Sequence, residues 1–489
     1  MNQQMQVITW KYLFGAGIMG LIFSSILIMI VLYFLSSKIK QQKFSLRSQH
    51  IVQVPRFGGI GLFWGFSGTL IMLWWIPVEK PLIGLEFLPQ NRLAGFCIGG
   101  LLAWGIGFVD DVIDLRARWK LVGQIILSII AIGLGFEINT IQVPIFQIID
   151  LGPWSWPITI IWIVGVINSI NLIDGLDGLA GCSAVVALVC FGILCIWQVQ
   201  YSLLILIFVL IGVTLGFLAF NRPQASVFMG DSGSMFLGYV LALISIWVTD
   251  IPGRGSSVIP LLILAVPILD TGFALFRRFF KGIPFYSADY DHLHHRLIAR
   301  GFSATQAMLV LIGFSCLFGI IGLMAHRITD FLGFSFLLGI SLVYILLYWL
   351  GYEVVRKPFS SIKEQTDYRK RRNLMLSLSE QIEEFFAKDP DPESVFRSFQ
   401  FWTKLAGVTR FEVRINKEII SQSGIGDSSH RTLTYKQGPY EVLLALHESS
   451  WTIDSDFKED LLESVSKALT SRLEKLEHDS MNTINRKNN

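Results

Sequence analysis

The sequence predicts an all-α polytopic membrane protein of about eleven transmembrane helices, N-terminus outside, followed by a small cytoplasmic α+β domain. Three observations carry that expectation. Of 489 residues, 52% are hydrophobic and only 16% are charged, against about 25% charged in a soluble domain. The apolar residues fall in runs near the roughly 20 needed to cross a bilayer. Basic residues gather in alternate loops, which fixes an orientation.

The apolar runs lie near residues 12–36, 58–77, 93–109, 121–137, 156–171, 178–197, 201–220, 233–249, 257–276, 307–325 and 331–351. The first is long enough to span and has no small-residue cleavage site after it, so it reads as a retained helix and not a signal peptide. The loop after it carries Lys38, Lys40, Lys43, Arg47 and Arg56 without an acid. Another basic loop holds Arg116, Arg118 and Lys120, and a third holds Arg277, Arg278, Lys281, Arg296 and Arg300. The stretch Glu137–Ser155 has no basic residue. With the basic loops inside, the N-terminus lies outside and everything after Gly351 is cytoplasmic.

Composition changes at that point. Residues 1–351 form a membrane domain and residues 352–489 a charged one with no spanning run. The second begins with a basic collar, Arg356 to Arg372, suited to anionic headgroups. Beyond it, Ser377–Phe386, Glu393–Ala406 and Asp454–Leu476 have helical periodicity, while Phe411–Asn416 and Tyr440–His447 read as strands. The net charge of +3 gives no case for nucleic-acid binding. The five Cys sit in apolar runs without a CxxC pair, which indicates neither a disulfide framework nor a zinc site.

Acids within membrane segments are costly and therefore informative. The third run ends in Asp110-Asp111-Val112-Ile113-Asp114, whose three carboxylates share a face if the helix continues. The fifth ends in Asn168-Ser169-Ile170-Asn171-Leu172-Ile173-Asp174-Gly175-Leu176-Asp177-Gly178. Later loops carry Phe228-Met229-Gly230-Asp231-Ser232-Gly233-Ser234 and Asp289-Tyr290-Asp291-His292-Leu293-His294-His295-Arg296. Taken singly, each has a plain reading: a solvated acid, a helix-packing glycine, a snorkelling Lys120 or an incidental polar loop. All four clusters fall on the same expected membrane face. Carboxylates there suit Mg²⁺, which takes one or two of them and leaves phosphates to complete its shell. Basic neighbours would bind the phosphates. An ion-coupled transporter is the main competing class, but these acids sit at helix ends and no pair of broken helices is evident.

The motifs resemble the polyprenyl-phosphate N-acetylhexosamine-1-phosphate transferases over about residues 10–350. The matching segments are Asp110-Asp111-x-x-Asp114 with Lys120 and Gln124, then Asn168 to Leu179, then Phe228 to Ser234. His292-Leu293-His294-His295-Arg296 is similar to the histidine loop of the GlcNAc-1-phosphate branch, and Arg47-Ser48-x-His50 with Pro55-Arg56-x-Gly58-Gly59 resembles a pattern of O-antigen initiating members. The resemblance implies transfer of a sugar-1-phosphate from a UDP-N-acetylhexosamine to undecaprenyl phosphate, with release of UMP and a need for Mg²⁺ or Mn²⁺. It implies Asp231 as metal ligand with Asp110 and Asp111, which also serve the lipid phosphate. Asn171, Asp174 and Asp177 would hold the nucleotide-sugar. His292, His294, His295 and Arg296 would engage the donor's diphosphate or sugar, and Lys120 and Arg56 would bind substrate. The implied setting is the bacterial inner membrane, with the site in the cytoplasm and a homodimer among the assemblies left open. The domain after the last run faintly resembles a GAF-type sensor domain.

Overall fold

A computed structural model of the chain describes residues 3–42, 54–75, 89–142, 148–250, 258–281, 292–327, 332–349, 384, 391–405, 408–415, 418–423, 430–437, 440–447 and 465–476. Two compact units divide the chain: Met1–Arg278 with Pro284–Arg356, and Phe279–Ile283 with Lys357–Asn489.

The first unit is helical. Its elements are α1 (Gln3–Gln42), α2 (Gly58–Trp75), α3 (Gln90–Ile113), α4 (Ala117–Gly133), α5 (Ser155–Ile173), α6 (Leu179–Trp197), α7 (Tyr201–Asn221), α8 (Gly230–Thr249), α9 (Val258–Ile263), α10 (Ala265–Lys281), α11 (Leu293–Ala299), α12 (Ala304–Arg327) and α13 (Leu332–Trp349). Among the described residues, eight helices are long and apolar enough to cross a membrane: those in α1, α2, α3, α5, α6, α7, α8 and α12. The remaining three expected runs fall on α4, on the pair α9–α10 interrupted at Leu264, and on α13, whose apolar stretch is Leu337–Leu346. Between α4 and α5 lies a short antiparallel ladder, β1 (Thr140–Gln142) with β2 (Ile148–Asp150).

Helix α8 is the centre of this unit. It is buried from Ser232 through Val248, as a helix apolar on all sides must be when other helices surround it. Helices α2, α3, α5 and α6 pack on it. Close approach of α3 depends on Gly107, where a Cβ would sit 2.3 Å from the Asp231 carbonyl oxygen. Earlier in α3, Gly95–Gly99 form a π turn. The Tyr239 hydroxyl of α8 donates to the Gly95 carbonyl at 3.1 Å.

The second unit holds α14 (Pro392–Leu405), strands β3 (Val408–Ile415), β4 (Glu418–Ser423), β5 (His430–Gln437) and β6 (Tyr440–His447), and a helix over 465–476. The sheet is antiparallel throughout, in the order β4-β3-β6-β5. Val395, Phe399, Val413, Val442 and Leu444 are buried, and Phe399 meets Phe411 edge-on at 5.1 Å. The expected helix at 393–406 and strands at 411–416 and 440–447 are present within a few residues. Strands β4 and β5 were not expected. The collar at 356–372 and nearly all of the helix expected at 377–386 lie outside the described residues.

Candidate active site

The N-terminus of α8 is where the separate polar clusters meet. Asp111, at the end of α3, accepts from the Asp231 amide at 2.8 Å, the Ser232 amide at 3.0 Å and the Ser232 hydroxyl at 2.6 Å. A carboxylate there satisfies amides that have no partner within their own helix and complements the positive end of its dipole. Asp111 thus joins α3 to α8 and sets where Asp231 begins.

Asp231 in turn is held from two sides. Its Oδ1 accepts from Asn171 Nδ2 at 3.1 Å, and its Oδ2 accepts from Lys120 Nζ at 2.7 Å. Asn171 also donates to the Ser234 hydroxyl at 2.9 Å. Lys120 lies 2.5 Å from Asp110 Oδ2, so one ammonium bridges two carboxylates. Asp110 Oδ1 accepts the Leu115 amide at 2.7 Å. Behind this network, Gln124 and Asn168 exchange an amide hydrogen bond of 2.7 Å, one helical turn from Lys120 on α4 and three residues from Asn171 on α5.

Asp114 corrects the helical reading of this cluster. Helix α3 stops at Ile113, and Asp114 takes a left-handed conformation with φ 53°. Aspartate tolerates that region because its short side chain bonds locally. The chain turns there, and Asp114 does not continue the face carrying Asp110.

A polar cavity of about 310 Å³ opens beside Asp231. Its walls include Arg56, Asp111, Asn171, Asp174, Asp177 and Asp231. Arg56 reaches it because the Pro55–Gly59 segment runs along Phe228–Met229: the Phe228 amide donates to the Pro55 carbonyl at 2.9 Å, and the Gly59 amide to the Met229 carbonyl at 3.0 Å. Asp177 accepts from the Ala225 amide at 3.1 Å. Gly178 has φ +78° and donates to Asn221 Oδ1 at 2.9 Å, which closes the turn between α5 and α6. Burial pushes the Asp174 carboxyl well above the usual carboxylate range, and the charges of Asp231, Asp111 and Asp177 push it the same way. Among the described residues no donor hydrogen-bonds that carboxylate.

The histidines form a second group. His292 and His294 are buried with parallel rings 5.8 Å apart, while His295 is exposed with its ring 4.2 Å from that of His294. Burial first, then His295, lowers the His294 pKa to about 4. The group reaches the cavity through His294, which packs against Gly175, a wall residue. Arg296, half-buried on α11, is not among the residues lining the cavity, and neither is Asp110. Asp289 and Asp291 lie outside the described residues. Sequence reasoning missed Asn221 and Asp270, the latter bonded to His292. For Asp270 the available signal was an acid inside the apolar run 257–276.

The donor set fits a hard divalent cation. Asp111, Asp174 and Asp231 supply only carboxylate oxygens to the cavity, and Mg²⁺ uses one or two of these with phosphates completing its shell. Among the described residues no cluster of three or more His, Cys, Asp or Glu forms a ready-made cage.

Carboxylates, amides, a lysine and an arginine converge at one end of an apolar helical bundle, the kinds of group that phosphoryl transfer calls for. The family profile described as "Glycosyl transferase family 4" matches residues 93–249, the span that holds Asp110 through Asp231. The "Probable undecaprenyl-phosphate N-acetylglucosaminyl 1-phosphate transferase" of Bacillus subtilis (strain 168) is 33% identical over 272 residues, covering 55% of this chain and 73% of that protein. The "Decaprenyl-phosphate N-acetylglucosaminephosphotransferase" of Mycobacterium tuberculosis (strain H37Rv) is 28% identical over 288 residues, or 54% and 70% of the two chains. The "Undecaprenyl-phosphate alpha-N-acetylglucosaminyl 1-phosphate transferase" of Yersinia pestis is 27% identical over 322 residues, or 63% and 82%. The chain belongs to glycosyl transferase family 4, in the branch of polyprenyl-phosphate N-acetylhexosamine-1-phosphate transferases.

Proposed function

We propose that the chain transfers an N-acetylhexosamine-1-phosphate, with N-acetylglucosamine the first candidate, from its UDP-sugar to undecaprenyl phosphate. A phosphate oxygen of the lipid attacks the β-phosphorus of the donor. The bond from that phosphorus to the UMP oxygen breaks, giving undecaprenyl-diphospho-sugar and UMP. The observation that carries this reading is the Asp110–Lys120–Asp231–Asn171 network beside a polar cavity. The names of the relatives point the same way.

Arg56 and Lys120 would meet phosphate oxygens. Asn171, Asp174 and Asp177 take the nucleotide-sugar side, and His292, His294, His295 and Arg296 its diphosphate or sugar. Asp110 and Asp111 serve the lipid phosphate. With a second pKa of about 6, a phosphate monoester is largely ionised near neutral pH, so attack does not depend on a general base, and that role for Asp110 or Asp111 stays open. Asp231, with Asp110 and Asp111 beside it, is the proposed holder of Mg²⁺ or Mn²⁺, which supplies charge neutralisation on the diphosphate when bound.

In this reading the chain spans a bacterial inner membrane eleven times with its N-terminus outside, and the site and the 352–489 domain face the cytoplasm. The support is the basic character of the loops around Arg56, Lys120 and Arg296. The test is purified protein with undecaprenyl phosphate and a panel of UDP-sugars, reading UMP release. Release dependent on both lipid and one donor is the expected result; none with any donor would overturn the assignment.

A further inference from the structure

Asp270 lies in α10 and is 1% exposed. A buried carboxylate is costly unless its lone pairs are bonded. Both of its oxygens are taken by one neighbouring segment: Oδ1 accepts the Leu293 amide at 2.8 Å, and Oδ2 lies 3.0 Å from His292 Nδ1. Asp270 is therefore the anchor of the start of α11. It does not line the cavity, and the reaction as derived above makes no use of it.

The contact also decides the chemistry of the ring. An ionised carboxylate only accepts hydrogen bonds, so the proton between the two groups belongs to His292 Nδ1. That leaves Nε2 as the nitrogen free to act, the usual effect of a carboxylate behind an imidazole. The same carboxylate balances the charge of the ring when Nε2 is also protonated. His292 is followed by His294, whose ring touches the cavity wall at Gly175. Fixing His292 therefore fixes the histidine segment against the cavity.

We propose that Asp270 is the positioning residue of the histidine loop: it holds His292 with Nδ1 protonated and offers Nε2–H, with its charge balanced, to an anionic oxygen of the donor's diphosphate. This rests on the transferase reading for the identity of the donor, but the tautomer does not.

Asp270→Asn tests it in the full-length chain. The asparagine keeps the size and can still accept from Leu293, but its amide turned toward His292 donates, which takes the proton off Nδ1, holds the ring neutral and removes the counter-charge that an imidazolium would need. We expect kcat/KM for the UDP-sugar to fall roughly 10–100-fold, taking the scale from carboxylates behind metal-ligating histidines, with the KM for the lipid phosphate unchanged. Asp270→Asn added to His292→Gln should cost nothing beyond His292→Gln alone. Independently of any substrate, nitrogen-15 spectra of histidine-labelled protein, with His292 assigned by its loss in His292→Gln, should show Nδ1 protonated in the native chain. A native His292 with its proton on Nε2 alone, or losses from Asp270 and His292 that multiply in the double variant, would overturn the proposal. Absence of UMP release by the native chain would instead defeat the transferase reading, and the spectra would still decide the role of Asp270.

Discussion

Gly175 and His294 touch so closely that a Cβ on the glycine would lie 2.7 Å from both Cε1 and Nε2 of the imidazole. The ring is 2% exposed and has little room to retreat. Gly175→Ala must therefore displace either the turn that carries Asp174 and Asp177 or the start of α11. We expect UMP release to drop by at least about tenfold, roughly 1.4 kcal/mol of barrier, while membrane insertion is kept. Activity equal to that of the native chain would show that the two segments need not meet.

His294 makes a pH prediction through the same contact. Its pKa of about 4 lies below the value of about 6.5 for a free histidine, so the fold favours the neutral ring. The stabilisation is complete above pH 6.5 and is lost as pH falls toward 4. Thermal unfolding in detergent should shift downward between pH 7 and pH 4.5, and the shift should shrink in His294→Gln. Equal shifts in both proteins would remove His294 as the cause.

Asp231→Asn keeps the size of the side chain and its contact with Asn171 but removes the charge opposite Lys120. Lys120 retains Asp110 at 2.5 Å, so the protein should stay folded. Turnover should fall well beyond tenfold. Loss of less than about tenfold, about 1.4 kcal/mol, would contradict the role given to this carboxylate.

Chelation tests the oxygen-only donor set. Excess EDTA should abolish UMP release, and Mg²⁺ or Mn²⁺ should restore it, since both accept carboxylate and phosphate oxygens. Full turnover in EDTA would sink the metal assignment.

The second unit begins at Lys357 apart from its short 279–283 segment. It has a core of its own in Val395, Phe399, Val413, Val442 and Leu444. A chain ending near Lys357 should insert and release UMP within a few-fold of the intact protein. An inserted, stable and inactive product would mean that the tail completes the site.

Much of the site was legible because its residues are expensive where they stand. Asp110, Asp111, Asn171 and Asp231 stand at the ends of apolar runs, and segments that border lipid rarely carry such groups without a use. Long-range pairing was not legible. Nothing in Asp111 announces that it accepts from two amides 120 and 121 residues later, because a backbone donor carries no sequence signature. Asp114 misled for a related reason: helical spacing places it beside Asp110, and only the turned backbone removes it. In the second unit, β6 alternates apolar residues on one face and was readable. Strands β4 and β5 are richer in polar residues and gave no period-two signal.

The π turn at Gly95–Gly99 has a bearing on how α3 aims its acids. Each residue advances an α-helix by about 100°, and a π turn absorbs extra chain within a continuing helix. The angular phase of everything downstream is therefore set there, more than ten residues before Asp110 and Asp111. Tyr239, donating to Gly95, marks that distant turn from α8, the helix whose first amides bond Asp111. A helix that kept every residue but regularised this turn to α geometry would rotate both aspartates by about 100°. The letters of the motif would survive, and the motif would face the wrong way.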